Sequence, residues 1–129
     1  MKTGKFNNET ILIRHSAGSP LILSVLENIN IKINKAILVA GFSKPLNKNS
    51  ERILQNKYDW NKIKNNIKEI IFINSDNDPW GCNDVQGRYM FDKLGGKLII
   101  LHGEGHIGSD TYHQPYKKFP LLKKLLTPV

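Results

Sequence analysis

Ser16, Asp78 and His106 are the three residues of this chain whose types and order could carry out a reaction together. Ser16 sits in the run Arg14-His15-Ser16-Ala17-Gly18, after the apolar stretch Ile11-Leu12-Ile13 and before a helix-like segment over 21–27. A serine flanked by a small residue and a glycine, at the passage from strand to helix, marks a tight turn. Such a turn lifts the hydroxyl clear of a sheet. Asp78 belongs to Ser75-Asp76-Asn77-Asp78-Pro79-Trp80, and His106 to His102-Gly103-Glu104-Gly105-His106. A free hydroxyl is a weak nucleophile, so a histidine must take its proton. An acid must hold that imidazole in the productive tautomer and stabilise its charged form. The set suits attack on an acyl carbon through a covalent acyl intermediate. The amide of Ala17, ahead of the first helix, is the candidate oxyanion donor. Trp80 is a candidate wall of the acyl pocket, with packing over its own loop as the alternative.

These groups need a scaffold, and the chain supplies one. Four apolar runs, over 10–13, 36–40, 69–73 and 97–101, are continuous rather than alternating. That pattern suits strands buried on both faces of a parallel sheet. Helix-like segments separate them. The first, over 20–29, carries Leu21, Val25 and Leu26 on one face. The second, over 59–67, spaces Trp60, Ile63 and Ile67 helically. The third, over 83–94, carries Val85, Tyr89, Met90 and Leu94, and Gly95-Gly96 ends it. A last amphipathic segment spans 115–126. The alternation predicts an α/β fold: an open, mostly parallel sheet of about four strands with flanking helices and right-handed crossovers. Active sites of such sheets lie beyond the carboxyl ends of the strands. Ser16, Asp78 and His106 each follow a strand and would converge there. The polar stretch 41–58, punctuated by Pro45, reads as an excursion over the same edge.

Composition narrows the function classes. A length of 129 residues fits one domain over 1–129. The net charge of +8 comes from scattered lysines, with no arginine stripe and no aromatic interleaving, so it reads as a solvated basic surface and no nucleic acid is expected. Cys82 is the only cysteine, which excludes an intramolecular disulfide and paired-cysteine zinc clusters and fits a cytoplasmic setting. No apolar run approaches the roughly 18 residues of a membrane span, and the start lacks a signal-peptide core. A metal site from His102, His106 and Asp110 would need a helix that Gly103, Gly105 and Gly108 oppose. No metal and no cofactor are expected. Cys82 reads as a loop thiol, and Asp76 is the rival of Asp78 for the acid's role.

His15-Ser16-Ala17-Gly18, Asp59-Trp60-Asn61-Lys62-Ile63, Ser75-Asp76-Asn77-Asp78-Pro79 and Gly105-His106 occur in this order. The set resembles the small α/β-hydrolases of the retinoblastoma-binding-protein-9 and YdeN-like type, over 10–126. The resemblance implies Ser16 as nucleophile, Asp78 as orienting acid, His106 as base and a small ester or related acyl substrate. Three departures stand out. Arg14 occupies a position where that family has glycine, and a long cation there must crowd the turn or swing outward. Trp80-Gly81-Cys82 follows Asp78-Pro79 where the family often has a further proline. The match is to the family's C-terminal half, so its N-terminal strands and the loop bearing a second oxyanion donor are expected to be missing. The alternative is a catalytically impaired fragment that acts as a binding module or needs a separate N-terminal half. The strand over 10–15, from Thr10 at its start to His15 at its end, would then be a sheet edge. Such an edge is expected to recruit a second copy or another chain.

Overall fold

The computed structural model describes residues 6–46, 53–107, 121, 124 and 125. The chain runs β1 (Ile11–His15), α1 (Gly18–Asn28), β2 (Ile33–Val39), α2 (Trp60–Asn65), β3 (Ile67–Ser75), α3 (Asp84–Leu94) and β4 (Lys97–Leu101). The strands lie in sequential order, β1-β2-β3-β4, and every pair is parallel. This is the expected α/β sheet, with all four strands pointing the same way.

Successive side chains of β2 and β3 feed two different cores. Ala36, Leu38, Ile70 and Phe72 pack with Leu23, Leu26, Ile63 and Met90 of the three helices. Ile37, Val39, Ile71 and Ile73 face the other way, among Phe42, Cys82 and Ile107, with Leu121 and Leu125 packed against them. Both faces of the sheet are therefore covered, which is why its strands read as unbroken apolar runs. Burial of each such side chain is worth about 1.5–3 kcal/mol. On the second face Lys35 Nζ also donates to the Leu125 carbonyl at 3.0 Å.

Side-chain caps set the starts of α2 and α3. Asp59 accepts from Lys62 N at the start of α2, and Asn83 accepts from Val85 N and Gln86 N at the start of α3. Gly95, at φ 71°, closes α3 through its N–H to the Phe91 carbonyl. Gly96 follows at φ 85°, and a β-carbon there would collide with the Ile70 carbonyl oxygen. Only glycine lets the chain pass so close to β3.

Three apolar assignments differ from the sequence reading. Leu21 is exposed, and α1 buries Ile22 and Leu23 beside the expected Leu26. Helix α2 ends at Asn65, so Ile67 opens β3 rather than closing a helix face. Val85 is 66% exposed, whereas Gln86 and Gly87 are buried. The cause is the close approach of α3 to β3. A β-carbon at Gly87 would collide with Asn74 Oδ1, and Gln86 Oε1 accepts from the amides of Ser43 and Lys44. Counting apolar residues alone misses a face built from a glycine and a hydrogen-bonded amide.

The excursion over 41–58 carries no strand or helix in its described parts, 41–46 and 53–58. Most of the segment 115–126 lies outside the described residues. Among the described residues no helix is long and apolar enough to cross a membrane. There too, β1 pairs with β2 alone, and Ile11 is 41% exposed.

Candidate active site

The first strand stops at a strained turn. Ser16 follows β1 with φ 56°, a left-handed conformation that costs a non-glycine residue about 1–3 kcal/mol. The turn is held on both sides. Ser16 N donates to the Val39 carbonyl at 2.8 Å, and the Ser16 carbonyl accepts from Ser19 N at 3.0 Å. Ala17 is the N-cap residue of α1, so its amide sits beside the nucleophile candidate at the positive end of the helix. Arg14 neither breaks nor enters this turn. It swings to the surface and lies over Gly18, where a β-carbon would stand 2.9 Å from Arg14 Cβ and Cδ. Its Nη1 donates to the Ile13 carbonyl at 2.9 Å. The missing glycine before Ser16 is thus accommodated by the glycine after it.

The structure brings all three predicted residues together at the carboxyl ends of β1, β3 and β4. His106 Nδ1 lies 2.7 Å from Asp78 Oδ2, and His106 Nε2 lies 2.9 Å from Ser16 Oγ. A carboxylate can only accept, so Nδ1–H donates to Asp78 and Nε2 is left to accept from the Ser16 hydroxyl. The Asp78 side chain is fully buried, and that of His106 is 7% exposed. Asp78 Oδ1 is occupied as well, accepting from Trp80 N at 2.8 Å. The Trp80 ring stands 6.2 Å from the His106 ring, centroid to centroid. Trp80 therefore packs beside the His106 ring and also steadies the Asp78 carboxylate through its backbone.

Asp76, the rival acid, has a different task. Ser75 Oγ, Asp76 Oδ1 and Asn77 Oδ1 accept from the backbone N–H groups of Glu104, Gly103 and Gly105, at 2.9, 2.9 and 2.7 Å. The turn after β3 thus grips three consecutive amides of the turn that delivers His106. His102, at the edge of this grip, donates from Nδ1 to Asp76 Oδ2 at 2.6 Å, so it is an ion-pair partner. Asp110, weighed with it for a metal, lies outside the described residues.

The exposed Asp76–His102 pair makes the loop pH-sensitive. The hydrogen bond and charge of Asp76 raise the His102 pKa above its ordinary 6.5. The Gly103 amide first, then His102, lower the Asp76 pKa below its ordinary 3.8. The histidine's contribution is full below 6.5 and is lost as pH rises through its raised pKa. The aspartate's contribution is full above 3.8 and is lost as pH falls through its lowered pKa. The loop is therefore tied most firmly between those two values. Amide-exchange protection of Gly103 should be greatest in that window and lose this dependence in Asp76→Asn. Equal protection at about pH 5 and about pH 9 in the wild type would count against the coupling.

His15 sits on the other side of the His106 ring. Its Nε2 is 2.7 Å from the His106 carbonyl, and the two rings meet edge-on at 4.7 Å. Burial pushes its pKa down, so the neutral ring that supports His106 is the favoured form. Two residues had no clear role in the sequence. Asn74, fully buried, donates from Nδ2 to the carbonyls of Gly41 and Cys82, both at 3.1 Å, and ties the ends of two loops behind the site. Its position at the end of an apolar run, just before four polar residues, was the available signal. Cys82 lies in a loop, as expected, but not at the surface. It is fully buried, its sulfur within 4.8 Å of ligand atoms of Asp78 and His106. Burial and then the Asp78 charge push its pKa up to about 12, so it remains a thiol.

Comparison with known proteins agrees with this architecture. The family model described as serine hydrolase matches residues 2–126. The chain is 28% identical over 125 residues to the serine hydrolase RBBP9 of Rattus norvegicus, covering 95% of this chain and 64% of that protein. The crystal structure of the ydeN gene product from B. subtilis superposes with a TM-score of 0.82 at 25% identity, over 94% of this chain and 65% of that one. The chain thus spans just under two thirds of the length of the relatives it matches. With the fold, the length of the match and the strained turn at Ser16 in agreement, the chain belongs to the serine hydrolase family.

Proposed function

We propose that this chain hydrolyses a small ester or related acyl substrate, with Ser16 as nucleophile, His106 as general base and acid, and Asp78 as the orienting acid. The observation that carries the reading is the unbroken line of hydrogen bonds from Ser16 Oγ through His106 to Asp78, at 2.9 and 2.7 Å. His106 Nε2 takes the hydroxyl proton as Ser16 Oγ attacks the acyl carbon. The imidazolium then faces the buried Asp78 carboxylate, which stabilises it. The Ala17 amide donates to the oxygen that gains charge. His106 returns the proton to the leaving alcohol, and the acyl-serine remains. Water, deprotonated by the same nitrogen, completes the cycle. Trp80 borders the acyl group beside the His106 ring. Ser16, His106 and Asp78 supply this chemistry without a cofactor.

A fluorophosphonate probe tests the assignment, because it reacts only with an activated serine. Labelling of the wild type and its loss in Ser16→Ala are expected. Labelling that persists in Ser16→Ala would sink it, and a wild type that stays unlabelled would favour the non-catalytic binding module.

The outer edge of β1 supports a second proposal, that two copies pair there. Among the described residues no strand pairs with this edge, which lies beside the exposed Ile11, and such edges recruit another strand. Light scattering behind size exclusion should give a dimer that Ile11→Lys converts to monomer. A wild type that is monomeric at all concentrations would remove the proposal.

A further inference from the structure

Cys82 has no part in the proposed reaction, yet it is packed against the groups that do. We propose that Asp78, Cys82 and His106 form a binding site for a thiophilic divalent cation such as zinc, and that the ion switches the enzyme off by taking its base. One oxygen, one sulfur and one nitrogen of these side chains lie within 4.8 Å of one another. A sulfur and a nitrogen bound to the same zinc ion can be at most about 4.4 Å apart, so small side-chain rotations bring the atoms into range. All three residues are buried, among groups already ordered by other contacts. Asn74 fixes the Cys82 backbone, Trp80 N holds one oxygen of Asp78, and His15 braces the His106 carbonyl.

The ligand types select the ion. A thiolate beside an imidazole favours zinc over magnesium or calcium, which prefer all-oxygen sites. Binding releases the Cys82 thiol proton to solvent and leaves the sulfur as a thiolate ligand. The metal displaces this proton, so affinity rises with pH. The fourth position is open to Ser16 Oγ or solvent. Coordination uses the imidazole and the carboxylate that the relay needs, so the metal-bound chain cannot deprotonate Ser16. The inhibition rests on the hydrolase reading; the metal binding does not.

The test uses the intact, untagged chain with cobalt(II) as spectroscopic probe and zinc as competitor. The wild type should bind one cobalt per chain with a thiolate charge-transfer band that zinc abolishes. Cys82→Ala should lose the band, keep fluorophosphonate labelling and become insensitive to zinc. In the wild type, zinc at a hundredfold its dissociation constant should slow labelling about a hundredfold, while magnesium has no effect. If Cys82→Ala fails to fold, the isosteric Cys82→Ser should still lose the band. A wild type without the band, or equal zinc affinity in both proteins, overturns the site. Failure of labelling without metal would overturn the catalytic reading alone, since the cobalt spectrum does not depend on turnover.

Discussion

Replacing His106 by alanine should lower kcat on an activated acyl ester by about six orders of magnitude. The expectation follows from what Ser16 is left with. Its hydroxyl loses the imidazole that stands 2.9 Å away to take its proton, and its own acidity is far too low to compensate. In the proposed reaction Ser16 and His106 act as one unit, so Ser16→Ala with His106→Ala together should cost no more than either alone. What would survive is the candidate oxyanion donor at Ala17 and whatever substrate binding remains. KM should change little, because the imidazole acts mainly in the transition state. The substitution also strands the Asp78 carboxylate, whose side chain is fully buried, so far-UV circular dichroism must accompany the kinetics. A loss of less than tenfold in a folded variant would exclude His106 as the base.

Asp78→Asn should cost about four orders of magnitude in kcat while leaving the fold intact. The argument depends on the second contact of this carboxylate. Oδ1 accepts from Trp80 N at 2.8 Å, so in the variant the carbonyl oxygen of the amide must occupy that place. The amide nitrogen is then forced to face His106 at the position of Oδ2. It can only donate, so Nδ1 must become the acceptor and the ring proton moves to Nε2. An Nε2–H aimed at Ser16 cannot remove the hydroxyl proton. Nitrogen chemical shifts of His106 should report the switched tautomer alongside the lost turnover. An Asp78→Asn variant with near-native kcat and the native tautomer would shift the acid's role away from Asp78. Asp76 would not replace it, because both its oxygens are engaged by Gly103 and His102.

Much of the fold is legible along the chain because burial on both faces leaves strands with no polar alternation. The runs near Leu12, Ala36, Ile70 and Leu98 identified all four strands, and the residues after the first, third and fourth located the candidate site. Helix faces were harder to read. Gly87 and Gln86 face the sheet because α3 lies almost against Asn74, and nothing in hydrophobic spacing reports such an approach. The reach of Arg14 was equally hidden. Whether it crowds the turn depends on Gly18, a neighbour on the helix rather than in the strand.

The chemistry-bearing residues, their order and the strand ends that carry them were determined by the sequence alone, since residue type and local periodicity are local properties. Tertiary structure decided how those residues divide the work. Asp78 and Asp76 are two positions apart and chemically identical, and only packing buries one against His106 and leaves the other on the surface with His102. Likewise only the three-dimensional arrangement brings Cys82 beside His106. Distances between side chains on different strands are set by register and crossover geometry, which no single stretch of chain encodes.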